Sequence, residues 1–147
     1  MQNIGIIGCG KIAQKRHIPE YTDNPNANLL GFFDLNQARA EALAKLHGGI
    51  AYKSYQELLE NNEIDAVSVC TSNDSHAAIT IAALLAGKHV LCEKPMATTL
   101  ADCEAMVETA KQQGKYLMIG QNQRLTKTHV KAKELIASGL IGDIVSF

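Results

Sequence analysis

Neither sign of charge is in excess in this sequence: 14 Lys and Arg stand against 15 Asp and Glu, for a formal net charge of -1. That balance leaves no electrostatic reason to expect nucleic acid or an anionic membrane as partner. Long hydrophobic runs are also missing. The longest nearly apolar stretch, Ala77 to Gly87, falls well short of the roughly 18 to 20 residues that a membrane span needs and reads as a core helix. No basic segment precedes the apolar start "MQNIGIIGCGK", so it reads as the first strand of a fold and not as an export signal, with the cytoplasm as the default compartment. Four cysteines occur without C-x-x-C spacing, which argues against a zinc knuckle or a thioredoxin-like pair. Cys9, Cys70 and Cys92 fall near the carboxyl ends of expected strands, within reach of His76. They are read as small buried thiols, and no metal site is assigned. Tryptophan, internal repeats, low-complexity tracts and Ser/Gly linkers are absent from an otherwise ordinary composition, 46% hydrophobic and 20% charged.

What remains is a chain of 147 residues, about one domain, able to bury roughly two-thirds of its unfolded surface. Apolar strand-like runs at Asn3–Ile7, Asn28–Phe33, Ile50–Lys53, Ala66–Cys70, His89–Cys92 and Tyr116–Ile119 alternate with helical patterns. Such an order predicts a parallel sheet with crossover helices on both faces. Ser54 with Glu57, and Thr99 with Asp102, are capping boxes, while Gly87 and Gly114 sit at expected helix C-termini. Leu35, Ala38, Ala42, Leu43 and Leu46 share one helical face, which is expected to pack. After Gly120 the chain reads as a loop into a helix. A further strand opens at Ile144 and stops at Phe147, as if the sequence were the front part of a longer protein.

"IGIIGCGKIA" carries Gly8-x-Gly10-x-x-Ala13 between a strand and a helix. In that context Gly8 permits the tight turn, Gly10 lets the backbone approach a pyrophosphate, and Ala13 allows close helix–strand packing. The N–H groups of Lys11 and Ile12 and the helix dipole then face the phosphates. Asp34 ends the second strand, 21 residues after Ala13, where a carboxylate accepts hydrogen bonds from the adenosine ribose hydroxyls and repels a 2′-phosphate. No Arg or Lys stands in Leu35 to Gln37 to offset it, so NAD is expected over NADP. Asp34 also suits the N-cap of a helix beginning at Leu35.

The pattern predicts an α/β, Rossmann-type doubly wound sheet of order 3-2-1-4-5-6, whose ligands sit beyond the carboxyl ends of the strands. The segments "VCTSNDSH" and "LCEKP" end strands four and five, which puts Thr71, Ser72, Asn73, His76, Glu93 and Lys94 at the nicotinamide half of the crevice.

With "GIIGCGKIA", "FFDLN", "IDAVSVCTSNDSH", "AGKHVLCEKPMATTLADCEAM", "GQNQRL" and "KELIASGLIGDI", the sequence resembles the N-terminal half of the glucose–fructose oxidoreductase / inositol dehydrogenase / MocA family of sugar and polyol dehydrogenases. The resemblance covers essentially the whole chain, and "GKHVLCEKP" is its most specific segment. It implies that Lys94 approaches the nicotinamide ribose and the substrate hydroxyl, that Glu93 contacts the ribose side, and that Pro95 is cis. It implies that Thr71, Asn73 and His76 line the cofactor, with Ser72 replacing the family's proline, and that Asn122 and Arg124 reach the nicotinamide edge or the substrate. On sequence alone, Lys94 paired with Glu93 also reads as an ordinary surface ion pair, and His76 as a cap or packing residue. His17, His47, His89 and His129 have no matching partner and are taken as structural or solvent-facing.

The resemblance further implies a carbohydrate-type substrate, hydride transfer, and a C-terminal α+β substrate domain that supplies the acid/base and is absent here or only begun. It allows a homo-oligomer. Residues 1–122 are expected to form the dinucleotide-binding domain, and 123–147 a connecting helix and first strand of that second domain. The 147 residues are therefore expected to bind NAD without turnover. The competing classes are a non-catalytic NAD(P)-binding or sensor module and an S-adenosylmethionine-binding domain, the latter disfavoured by Ala13 and the Glu-Lys-Pro segment.

Overall fold

The computed structural model describes residues 1–146. Six strands, β1 (Gln2–Ile7), β2 (Ala27–Phe33), β3 (Ile50–Ala51), β4 (Ala66–Val69), β5 (His89–Cys92) and β6 (Leu117–Ile119), form one sheet in the order β3-β2-β1-β4-β5-β6. Every adjacent pair is parallel. The chain order thus reverses between β1 and β4, and the crossovers put helices on both faces.

Each face of the sheet has its own core. Ile4, Ile6 and Phe32 pack with Ala13, Ile18 and Leu43 on one side. Ile7, Phe33, Val67 and Val69 pack with Leu58, Ile79, Leu84 and Met106 on the other. The period-two alternation of β1 and β2 sends neighbouring side chains to opposite cores, and each fully buried Ile, Leu or Phe contributes about 1.5–3 kcal/mol. Among the described residues no helix is long and apolar enough to cross a membrane.

Helices α2 (Gln37–His47), α3 (Tyr55–Glu60), α4 (His76–Leu85), α5 (Leu100–Gln113) and α6 (Lys127–Ala137) follow strands or turns as the pattern predicts, and a short α1 (Ile18–Thr22) continues a π-helical turn at Ala13–His17. Ser54 and Thr99 accept the N–H bonds of Glu57 and Asp102. The reciprocal halves of the boxes differ: Glu57 reaches the Lys53 N–H, and Asp102 accepts from the Thr99 hydroxyl. Gly114 caps α5 in the left-handed conformation.

Two expectations need correction. The buried face of α2 is Ala40, Leu43 and Ala44, whereas Leu35, Ala38, Ala42 and Leu46 are exposed. The helix starts later than its apolar run, behind an Asn36 cap, so packing on the sheet selects the other apolar stripe. The strand expected from Ile144 is not formed at Ile144–Ser146, which pair with none of the six strands of the sheet. Phe147 lies outside the described residues.

Candidate cofactor-binding site

The turn after β1 shows why its small residues are small. Gly8 has φ +91°, and a Cβ there would stand 2.7 Å from the carbonyl carbon and oxygen of Cys70 at the end of β4. A side chain would therefore both strain the backbone and push β1 from β4. A Cβ on Gly10 would meet nothing within 4 Å: the backbone there borders open space. Ala13 is fully buried against the helix-side core. The N–H groups of Lys11 and Ile12 lie in the first turn, where no intrahelical acceptor exists.

Asp34 is the pin of this end of the sheet. Its Oδ2 accepts from the Cys9 N–H at 2.7 Å and its Oδ1 from the Asn36 N–H at 2.8 Å. The Arg39 guanidinium adds contacts of 3.2 and 3.3 Å to the same two oxygens. The helix cap itself is Asn36, so Asp34 orders the loop before α2 without capping it. Arg39 lies beyond Leu35 to Gln37, the span in which the sequence pattern offered no cation. The signal was nevertheless present: a residue in the first turn of α2 faces back to the strand end that leads into it. Around Gly8, Gly10, Asp34, Arg39 and Ser72 opens a cavity of about 1040 Å³, larger than the others along this rim.

The loop after β4 leads along the same rim. Ser72 adopts φ -71°, within the range that proline would impose. The turn is held instead by Ser75, which donates from its backbone N–H at 3.0 Å and its hydroxyl at 2.8 Å to the Ser72 carbonyl. His76 is buried, with Nδ1 2.7 Å from the Pro95 carbonyl and Nε2 3.2 Å from the Thr71 carbonyl. The ring ties the loop after β4 to the loop after β5. It borders, with Ile12, Thr71, Asn73, Glu93 and Lys94, a cavity of about 240 Å³.

In that second loop the Lys94–Pro95 peptide is cis. The partner of Glu93 is His17, at 2.8 Å from Nε2 to Oε1, and the Lys94 ammonium enters no ion pair among the described residues. His17 accordingly does have a partner. His89 likewise accepts the Tyr116 N–H, and His129 contacts Thr126 at the start of α6. Asn122 lines a further cavity of about 300 Å³ beside His17 and Glu93, whereas Arg124 is exposed on the same 3-10 turn, Asn122–Leu125, and lines none of these three cavities.

The thiols of Cys9, Cys70 and Cys92 are shielded by burial. Burial pushes Cys9 up to about 12, with the Asp34 charge adding to it. Burial likewise pushes Cys92 up to about 11 and raises Cys70 above its ordinary range.

Open space over Gly10, two free N–H groups beside it, a strand-end carboxylate on one side and an unpaired ammonium on the other fit an extended anionic dinucleotide. The fold and this rim are those of a dinucleotide-binding domain. Residues 2–121 match the oxidoreductase family, NAD-binding Rossmann fold, of the GFO/IDH/MocA type, and the chain belongs to that family. It is 38% identical over 140 residues to the myo-inositol 2-dehydrogenase of Thermotoga maritima, covering 95% of this chain and 42% of that protein. It is 36% identical to the glucose-6-phosphate 3-dehydrogenase of Bacillus subtilis, covering 99% and 41%. The structure of a 3-ketoreductase from Actinomadura kijaniata in complex with NADP and TDP-benzene superimposes with a TM-score of 0.89 at 31% identity, over 97% of this chain and 44% of that one. The chain thus spans less than half the length of these relatives, which include sugar and polyol dehydrogenases and reductases.

Proposed function

We propose that this chain is the cofactor-binding part of a sugar or polyol dehydrogenase, holding NAD in preference to NADP along one groove. The observation that carries the reading is the alignment of Asp34, the open space at Gly10 and the unpaired Lys94 ammonium along the carboxyl ends of β1, β2, β4 and β5. In this reading Asp34 takes the adenosine ribose, and Gly8, Gly10, Ala13 and the N–H groups of Lys11 and Ile12 shape and bind the pyrophosphate turn. Thr71, Asn73, His76 and Glu93 border the nicotinamide half, with Asn122 at its far edge, and Ser72 stands on the Asp34 side of Thr71. The bound nicotinamide supplies or accepts the hydride. Lys94 orients the reacting hydroxyl of a carbohydrate-type substrate and handles its proton at Nζ.

Residues 123–147 would then begin the connection to a substrate domain. By themselves these 147 residues would bind the dinucleotide without turnover, since among the described residues Lys94 stays exposed to water.

The NAD preference follows from Asp34, and Arg39 narrows it. All four acceptor directions of the carboxylate are in use: two by short bonds from backbone N–H groups, two by the longer Arg39 contacts. The ribose hydroxyls take the place of Arg39, whose side chain is 42% exposed, so the displaced pair costs only about 0–1 kcal/mol. Once displaced, the guanidinium is within reach of a 2′-phosphate, which it attracts while Asp34 repels it.

Fluorescence titrations of the protein and of Arg39→Ala with NADH and NADPH test this. Tighter binding of NADH is expected in both, with the variant losing NADPH affinity and keeping NADH affinity. NADPH bound as tightly as NADH overturns the preference, and failure to bind either overturns the function.

A further inference from the structure

Under the loop that carries Lys94 runs a buried polar chain that leads to Glu93 and whose other members, Tyr21, Ser68 and His17, the proposed cofactor contacts leave unused. The Tyr21 hydroxyl lies 2.7 Å from Ser68 Oγ, Ser68 Oγ lies 3.3 Å from His17 Nδ1, and His17 Nε2 lies 2.8 Å from Glu93 Oε1. Ser68 is fully buried, and His17 is 8% exposed. The chain has one consistent direction with a neutral imidazole. Tyr21 O–H donates to Ser68, Ser68 O–H donates to Nδ1, and Nε2–H donates to the carboxylate, so every donor is used once. Burial pushes the Tyr21 phenol up and keeps it a donor, against the smaller lowering by Ser68.

The far end of the chain is clamped from two more directions. Glu93 Oε2 accepts the Lys94 N–H at 3.1 Å. Gly120, just after β6, leaves the room that the carboxylate occupies: a Cβ there would stand 3.3 Å from its carbon and from Oε2. His17 reaches this point because the chain after the glycine turn forms a π-helical turn, Ala13–His17, in which both end residues are buried. Single π turns of this kind concentrate at functional sites.

We propose that His17 is a positioning residue for the nicotinamide half of the groove: it fixes the Glu93 carboxylate, and through it the Lys94 backbone, against the cavity that those two residues share with Thr71, Asn73 and His76. The proposal rests on the dinucleotide reading above and adds to it a residue set beneath the groove's surface.

Calorimetric titration with NADH and with ADP, which shares the adenosine and pyrophosphate but lacks the nicotinamide riboside, separates positioning from mere structure. His17→Phe removes the donor to Glu93 and is expected to weaken NADH about tenfold, as the loss of a hydrogen bond to a charged group does, while ADP affinity stays within about twofold, inside the spread of indirect effects. His17→Gln, whose amide can still donate to Glu93, is expected to restore most of the NADH affinity. Gly120→Ala presses on the same carboxylate and leaves Tyr21, Ser68 and His17 in place. It carries the same expectation and stands in if His17→Phe does not fold. NADH affinity unchanged, or NADH and ADP weakened equally, overturns the proposal. Wild-type protein that binds neither nucleotide overturns the functional reading and this proposal with it.

Discussion

Asp34→Ser is expected to destabilise the domain before any cofactor is added. The carboxylate is 8% exposed and joins the glycine turn to the loop before α2 through two short bonds, from Cys9 N–H at 2.7 Å and Asn36 N–H at 2.8 Å. A serine hydroxyl is too short to reach both. Hydrogen bonds to a charged acceptor are worth about 1.5–3 kcal/mol each, and the buried Cys9 N–H left without a partner adds to the loss. The release of Arg39 returns little, because that pair is partly exposed. A net loss of about 3 kcal/mol is expected, which in a domain of this size lowers the melting temperature by roughly 10 °C. Circular dichroism melts of wild type, Asp34→Asn and Asp34→Ser without nucleotide measure it, with Asn intermediate because it keeps one acceptor oxygen. Repeating the melts with NADH separates the second role, since wild type gains stability with ligand and Asp34→Ser gains little. An apo melting temperature for Asp34→Ser within about 2 °C of wild type, less than about 1 kcal/mol, would refute this structural role for the carboxylate.

Gly8→Ala combines a left-handed backbone with a 2.7 Å encounter with Cys70, so urea unfolding is expected to show a loss of about 2–5 kcal/mol; a loss below about 1 kcal/mol contradicts the close approach of β1 and β4. At pH 8 a thiol reagent is expected to modify the half-buried Cys103 quickly and the buried Cys9, Cys70 and Cys92 only as the protein unfolds; fast reaction of three thiols contradicts their burial. Because Cys9 and Cys92 hold their protons up to about 12 and about 11 in the fold, their contribution to stability is full below the ordinary thiol value of 9.0 and falls as pH rises above it. Urea midpoints that do not fall between pH 9 and 11 would contradict that linkage.

The alternation of apolar runs with helix signals was enough to anticipate six parallel strands and their order, since each strand is bounded by local punctuation and right-handed crossovers leave few arrangements. Gly8, Ala13 and Asp34 were legible for the same reason: each answers a local demand of one turn, a left-handed backbone, a close helix contact and two N–H groups. The buried face of α2 was not legible, because its residues offer two apolar stripes and only the sheet beneath chooses Ala40, Leu43 and Ala44. His17 was missed because its partners Ser68 and Glu93 stand 51 and 76 residues away, and because a π-helical turn leaves no periodic trace. The strand expected at Ile144 shows the converse: Ile144–Ser146 pair with none of the six strands, so a strand-like run does not by itself make a strand.

In the function proposed, the ends of β1, β2, β4 and β5 together hold one extended dinucleotide. Backbone amide shifts of isotope-labelled protein during titration with NADH test it most directly. Gly10, Lys11, Asp34, Thr71, Asn73 and Glu93 are all expected to move and to saturate together with a single dissociation constant. Shifts clustered away from these residues, or responses at Asp34 and Glu93 that saturate at different concentrations, would contradict it.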